Sequence, residues 1–293
     1  MSLHKPSLFT GIATALITPF RDGKIDFDAF GNLIERQINA GIDALLVAGT
    51  TGESATLTVN ELFALTAFAK YRIHGRVPLL SGCGSNSTAH AIELAQAASE
   101  AGADGLLAVT PYYNKASDQG LLLHYRALAD AAKRPLILYN VPSRTGYHLT
   151  MDLYRELAKH PNIVAVKEAS GNLGLFEALC DECGDDFDVY TGNDHQLVAS
   201  MKLGGKGVIS VCSNVLPAET ADLYRLCANK EWKTAGTELR ALFGRMQALF
   251  WEVNPIPVKY VASRMGLCNP EYRLPLCRPA PETAKRLQKI FGV

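Results

Sequence analysis

The stretch Leu136-Ile137-Leu138-Tyr139-Asn140, its link Val141-Pro142-Ser143-Arg144-Thr145-Gly146, and the run Ile163-Val164-Ala165-Val166-Lys167-Glu168 contain the unit on which the fold rests. A short apolar run ends in a link rich in functional atoms, a helical pattern follows, and the next apolar run begins. The same theme recurs at Ile12–Ile17, Ala44–Ala48, Val77–Leu80, Gly105–Val109, Leu136–Tyr139, Ile163–Lys167, Asp188–Tyr190 and Gly207–Val211. The spacing of roughly 25–35 residues is what a strand and a crossover helix need. Helices are predicted between the runs, as in 26–40, 58–71 and 91–101, where apolar residues recur at intervals of three and four. Eight such units close into a parallel (β/α)8 barrel. A doubly wound open sheet fits less well, because the first run lacks a glycine fingerprint for a dinucleotide.

The links sort the two rims. Those entering strands are spare: AGIDA, AGADG and GGKGV. Those leaving strands, GTTGES, GCGSN, TPYYN, YNVPSRTG, KEASGN, TGND and SVCSN, carry the chemistry, and in such barrels the C-terminal rim holds the active site. Beyond Asn214 the strands stop and helices are predicted at 217–230, 232–251, 257–266 and 281–291. We therefore expect a barrel over residues 1–225 and a C-terminal helical extension over 226–293.

Composition narrows the function. The 293 residues are 48% hydrophobic, and 29 basic residues balance 29 acidic ones. That neutrality excludes the basic footprint of a nucleic-acid binder or a membrane-surface protein. No apolar run is long enough to span a bilayer, and MSLHKPSLF is too short and polar for a secretory signal. Seven scattered cysteines fit reduced thiols in the cytoplasm rather than a disulfide framework. The single pair Cys180 and Cys183 lacks the second pair a zinc site needs. Cys212 reads as a small buried residue and His195 as a rim hydrogen-bonder.

Alternation places Ile163, Ala165 and Lys167 on one strand face and Val164 and Val166 on the other. If the valines pack on the helices, Lys167 points into the barrel mouth. Burial disfavours an ammonium, and a lysine with a lowered pKa attacks carbonyls to form an imine. Strand position alone leaves this reading level with a salt bridge to Glu168 or another carboxylate. Tyr139, sharing a face with Ile137, supplies a phenol suited to proton transfer beside Lys167. The loop Gly49–Ser54, read as opening a helix, offers N–H groups and hydroxyls for an anion. Tyr112, Tyr113 and Arg144 sit on the same rim, where aromatic packing and surface exposure remain the alternatives.

The ordered strings GTTGESATL, TPYYN, YNVPSRTG, KEASGN, GVISV and NPIPVK resemble the dihydrodipicolinate synthase family, consistently from about Gly11 to Lys259. The resemblance implies a pyruvate-dependent, class I aldolase-like enzyme of diaminopimelate and lysine biosynthesis that condenses pyruvate with L-aspartate 4-semialdehyde. It implies that Lys167 is the Schiff-base lysine, Tyr139 the proton carrier, and Thr50 the link from Tyr139 to Tyr113, contributed by a neighbouring subunit. Thr51 then holds the pyruvate carboxylate, Arg144 the carboxylate of the second substrate, and Gly192 and Ile209 line the site through backbone atoms. A homo-oligomer, commonly a dimer of dimers, is implied, with no metal or organic cofactor.

Two departures stand out. Asn193 occupies a position where many relatives have an aspartate. In the lysine feedback site of regulated relatives, Ser54, Ala55, Asn86 and Tyr112 match, whereas Val59, Leu62 and His90 replace histidines and a glutamate. Weak or absent inhibition by lysine is expected. The competing readings are N-acetylneuraminate lyase or a 2-keto-3-deoxy sugar-acid aldolase of the same superfamily, and a non-catalytic 2-oxo acid binder. Arg144 within PSRTG favours a small carboxylated aldehyde over the sugar acids. The retained Lys167 and Tyr139 argue against a binder.

Overall fold

The computed structural model describes residues 5–184 and 187–293. Eight parallel strands form a closed barrel: β1 (Gly11–Ala15), β2 (Ala44–Val47), β3 (Leu79–Gly82), β4 (Gly105–Val109), β5 (Leu136–Asn140), β6 (Ile163–Glu168), β7 (Asp188–Thr191) and β8 (Gly207–Ser210). Each strand pairs with its sequence neighbour, and β8 closes on β1 through Gly11↔Gly207 to Thr14↔Ser210. This is the (β/α)8 architecture expected from the repeats. A small antiparallel hairpin, Phe20–Arg21 with Lys24–Ile25, follows β1.

Each strand buries both faces, as a parallel strand under helices must. Ala13, Ala44, Leu46, Leu80, Leu107, Ile137, Tyr139, Ala165, Tyr190 and Ile209 fill the barrel interior. Ile12, Leu45, Val47 and Val208, and on the other side Leu106, Leu136, Leu138, Val166 and Val189, pack outward on the helices. Phe9 stacks on Tyr190 at 4.3 Å between ring centroids and accepts its hydroxyl proton at the backbone, which closes the barrel floor.

β6 departs from simple alternation. Its register against β5 slips between Leu136 and Ile137, so Leu136 faces Ile163 and Ile137 faces Ala165. The residue gained, Val164, turns inward with Ala165, and Ile163 packs outward. The expected grouping of Ile163 with Ala165 is thereby reversed by a bulge, which adds one residue to one strand. From Ala165 onward alternation resumes, and Lys167 still faces inward opposite Tyr139.

Several of the crossover helices begin on side-chain caps. Asp26 accepts the N–H of Ala29, and Thr58 with Glu61 forms a capping box at Val59–Ile73. The helix Pro217–Ala228 packs against β1 as the eighth crossover, so it runs through the division expected at residue 225. The helices Trp232–Ala248, Ile256–Arg264 and Pro281–Phe291 form the extension. All seven cysteines are free. Among the described residues no helix is long and apolar enough to cross a membrane.

Candidate active site

Lys167 is the penultimate residue of the longest barrel strand, 5% exposed, with its Nζ 4.5 Å from the centroid of the Tyr139 ring. Burial pulls its pKa down from 10.5 to about 8; Asp194 opposes that shift and Arg144 adds to it. At pH 7 about a tenth of such a lysine is neutral, against about 0.03% of an ordinary one. The salt bridge to Glu168 does not form. Glu168 faces the other side of β6, where Asn140 Nδ2 and Tyr154 Oη donate to Oε2 and the Ser170 N–H donates to Oε1.

A cavity of about 160 Å³ opens over Lys167 and is lined by Thr50, Thr51, Tyr139, Arg144, Gly192 and Asn254, among others. Tyr139 is 7% exposed; burial raises its pKa, while Arg144 and a hydrogen bond with the Thr50 side chain act against that rise. The phenol therefore stays protonated at neutral pH and has a hydroxyl partner through which a proton can pass. Gly192 is required by close approach. A Cβ there would lie 2.6 Å from Ala169 Cβ and 2.9 Å from Lys167 Cε.

The loop after β2 differs from its expected form. It runs into a 3-10 turn at Ser54–Thr56, and the next α-helix starts only at Val59 behind its own capping box. Its N–H groups are therefore not those of a helix N-terminus. Tight turns use the N–H groups of Gly52, Glu53 and Ser54 and leave those of Thr50 and Thr51 outside the turn's bonding. Arg144 rises into the mouth on the single helical turn Pro142–Thr145, pre-set by proline at its first position, and donates to the Asn254 carbonyl at 3.4 Å. Hydrogen-bond donors of the Thr50–Thr51 turn and the Arg144 guanidinium thus flank Lys167 on two sides.

Tyr113 and Ile209 stand apart from this cluster. Tyr113 is 89% exposed, with a left-handed backbone (φ 76°), and its side chain does not line the cavity of its own chain. Ile209 is fully buried in the barrel interior below the cavity. An adjoining cavity of about 350 Å³ takes in Thr50, Tyr139 and Arg144 and extends to Ser54, Ala55, Tyr112, Leu62 and His90. Asn86 is exposed and does not line it.

Residues 8–292 match the Dihydrodipicolinate synthetase family. The chain belongs to this family. It is 46% identical to the 4-hydroxy-tetrahydrodipicolinate synthase of Geobacter sulfurreducens, over 97% of this chain and 98% of that one. The dihydrodipicolinate synthase of Aquifex aeolicus superposes with a TM-score of 0.95 at 41% identity, covering 97% of each chain. The chloride-inhibited enzyme of Acinetobacter baumannii, solved in complex with pyruvate, superposes at 0.93 with 38% identity, over 98% of this chain and all of that one.

Three residues of this family member escaped the sequence reading. Asp194 is 2% exposed; its Oδ2 accepts the N–H groups of Val211 at 3.0 Å and Cys212 at 2.9 Å. Burial raises its pKa, and Lys167 is among the groups opposing that rise. Its signal is the string TGND at the C-terminal rim. His195 packs edge-on against Phe243. Asn254 donates to Thr51 Oγ1 at 3.0 Å. Lys259 forms a buried ion pair with Glu53. Cys212 is fully buried, and burial pushes its thiol well above its ordinary pKa.

Proposed function

We propose that this chain acts as a 4-hydroxy-tetrahydrodipicolinate synthase, a lyase that condenses pyruvate with L-aspartate 4-semialdehyde, and that Lys167 carries the reaction. The buried Lys167, with its pKa near 8 and beside the Tyr139 phenol, is the observation that carries this reading. The neutral amine attacks the C2 carbonyl of pyruvate, and loss of water leaves an iminium. The iminium draws electrons from C3, so a methyl proton departs and an enamine forms. The enamine attacks the aldehyde carbon. The amino group of the semialdehyde then attacks the imine carbon, closing the ring and releasing Lys167 as an amine.

Each transfer needs a proton carrier. Tyr139, hydrogen-bonded to Thr50, is placed for it. The Thr51 N–H and hydroxyl suit the pyruvate carboxylate. Arg144, at the open side of the cavity, suits the carboxylate of the second substrate. Gly192 keeps the wall beside Lys167 clear, and Ile209 supports the floor. The exposure of Tyr113 supports its reaching Thr50 of a second copy, so that the relay is completed in a homo-oligomer, a dimer of dimers. The neutral composition and free thiols support a cytoplasmic enzyme.

Borohydride reduction in the presence of pyruvate, followed by mass mapping, tests the reading. The expected adduct is on Lys167. Labelling elsewhere, no labelling, or turnover of sialic acid in place of the semialdehyde overturns it.

A further inference from the structure

The loop bearing Thr50 and Thr51 is held by a segment more than two hundred residues away. Glu53 and Lys259 are both fully buried, with Lys259 Nζ 2.5 Å from Glu53 Oε1. Glu53 Oε2 accepts the N–H of Arg273 at 3.2 Å. Lys259 lies 4.2 Å from the Phe20 ring centroid and 5.2 Å from that of Tyr272, so its ammonium is enclosed by two rings and one carboxylate. Glu53 itself has a left-handed backbone (φ 57°, ψ 37°), a conformation that costs energy for any residue with a Cβ. A second tie lies five residues before Lys259, where Asn254 donates to Thr51 Oγ1.

Stability alone gives a poor account of this arrangement. A buried ion pair loses much hydration, and an apolar pair of equal volume often leaves a fold as stable or more so. What the pair does uniquely here is fix a strained residue in the same turn as two site hydroxyls. Without it, the Glu53 carboxylate must seek water, and the turn that sets Thr50 against Tyr139 loses its anchor.

We propose that the Glu53–Lys259 pair is a positioning clamp through which the C-terminal extension holds Thr50 and Thr51 in register with Tyr139 and Lys167. Glu53 and Lys259 touch no reacting atom; they act through the loop. The clamp rests on the reading of Lys167 as the imine former.

The test separates imine formation from proton relay. Trapping carried to completion at saturating pyruvate reads how much imine Lys167 holds, whereas exchange of pyruvate C3 protons with D2O reads the rate at which the relay moves protons. The double variant Glu53→Gln/Lys259→Met keeps volume and removes both charges. Borohydride trapping of pyruvate on Lys167 is expected to stay within about threefold of wild type, while C3 exchange, followed by NMR, falls by about 10-fold or more. KM for pyruvate is expected to rise along with it, because Thr51 moves as well.

Val261→Ala, which opens a cavity in the same helix without touching the pair, is the control for lost stability. Wild-type exchange in a folded double variant overturns the clamp. So does a parallel loss of trapping and exchange that Val261→Ala reproduces. Should the double variant not fold, Glu53→Gln alone gives the same comparison with the same two outcomes. Absence of both trapping and exchange in wild type overturns the clamp and the function together.

Discussion

Replacing Lys167 with methionine is expected to make the fold more stable, by an amount that depends on pH. The fall of the Lys167 pKa from 10.5 to about 8 means that its charged form is less favourable in the folded than in the unfolded chain. At about 1.36 kcal/mol per pKa unit, the penalty is about 3 kcal/mol. The sign follows from proton binding. Below pH 8 both states hold the proton, and the folded state carries the full penalty. Between pH 8 and 10.5 the folded lysine has shed its proton while the unfolded one keeps it, so wild-type stability rises with pH. Methionine fills a similar volume and never charges.

The variant is therefore expected to exceed wild type by about 3 kcal/mol at pH 7, narrowing to about 1.5 kcal/mol at pH 9.5. Urea unfolding of both proteins at each pH, at one fixed protein concentration, reads the difference directly. A variant less stable than wild type at pH 7, or a gap that does not narrow with pH, refutes the assignment of a desolvated nucleophile. The outcome expected is a trade of stability for reactivity, common where a site holds a group its surroundings disfavour.

Three further outcomes follow from the same geometry. Tyr139→Phe keeps the ring beside Lys167 and removes the hydroxyl, so turnover is expected to fall by about 10²–10⁴-fold while borohydride still traps pyruvate on Lys167; comparable loss of both sets aside the phenol as proton carrier. Asp194→Asn removes the charge that holds the Lys167 pKa up against burial and Arg144. The midpoint of imine formation is therefore expected to move below the wild-type value of about 8, and an unmoved midpoint in a pH series of trapping rates counts against Asp194. L-lysine is expected to inhibit weakly or not at all, because Leu62 and His90 line the cavity beside Ser54, Ala55 and Tyr112; a steep inhibition curve below millimolar lysine contradicts this.

Much of the site was legible because strand periodicity is local information. Ile137 and Tyr139, like Ala165 and Lys167, differ by two positions and so face the same way whatever surrounds them. The bulge at Val164 was invisible, since an extra residue in one strand is defined only against the register of its neighbour. The Gly49–Ser54 loop read as a helix start because glycine and serine suit both a turn and a cap, and only hydrogen bonding separates the two.

From the sequence alone came the eightfold repeat, the chemistry-bearing rim, the inward lysine and the family, all of which rest on residue order within short windows. Tertiary structure alone decided whether Lys167 meets a carboxylate or an apolar wall. It turned Glu168 outward to Asn140 and Tyr154 and left Lys167 buried beside Tyr139. It also brought Asn254 to Thr51 and Lys259 to Glu53 across separations of 203 and 206 residues. A pKa and a long-range contact depend on what packing places nearby and on how much water it removes, and neither is written in the spacing of residues along the chain.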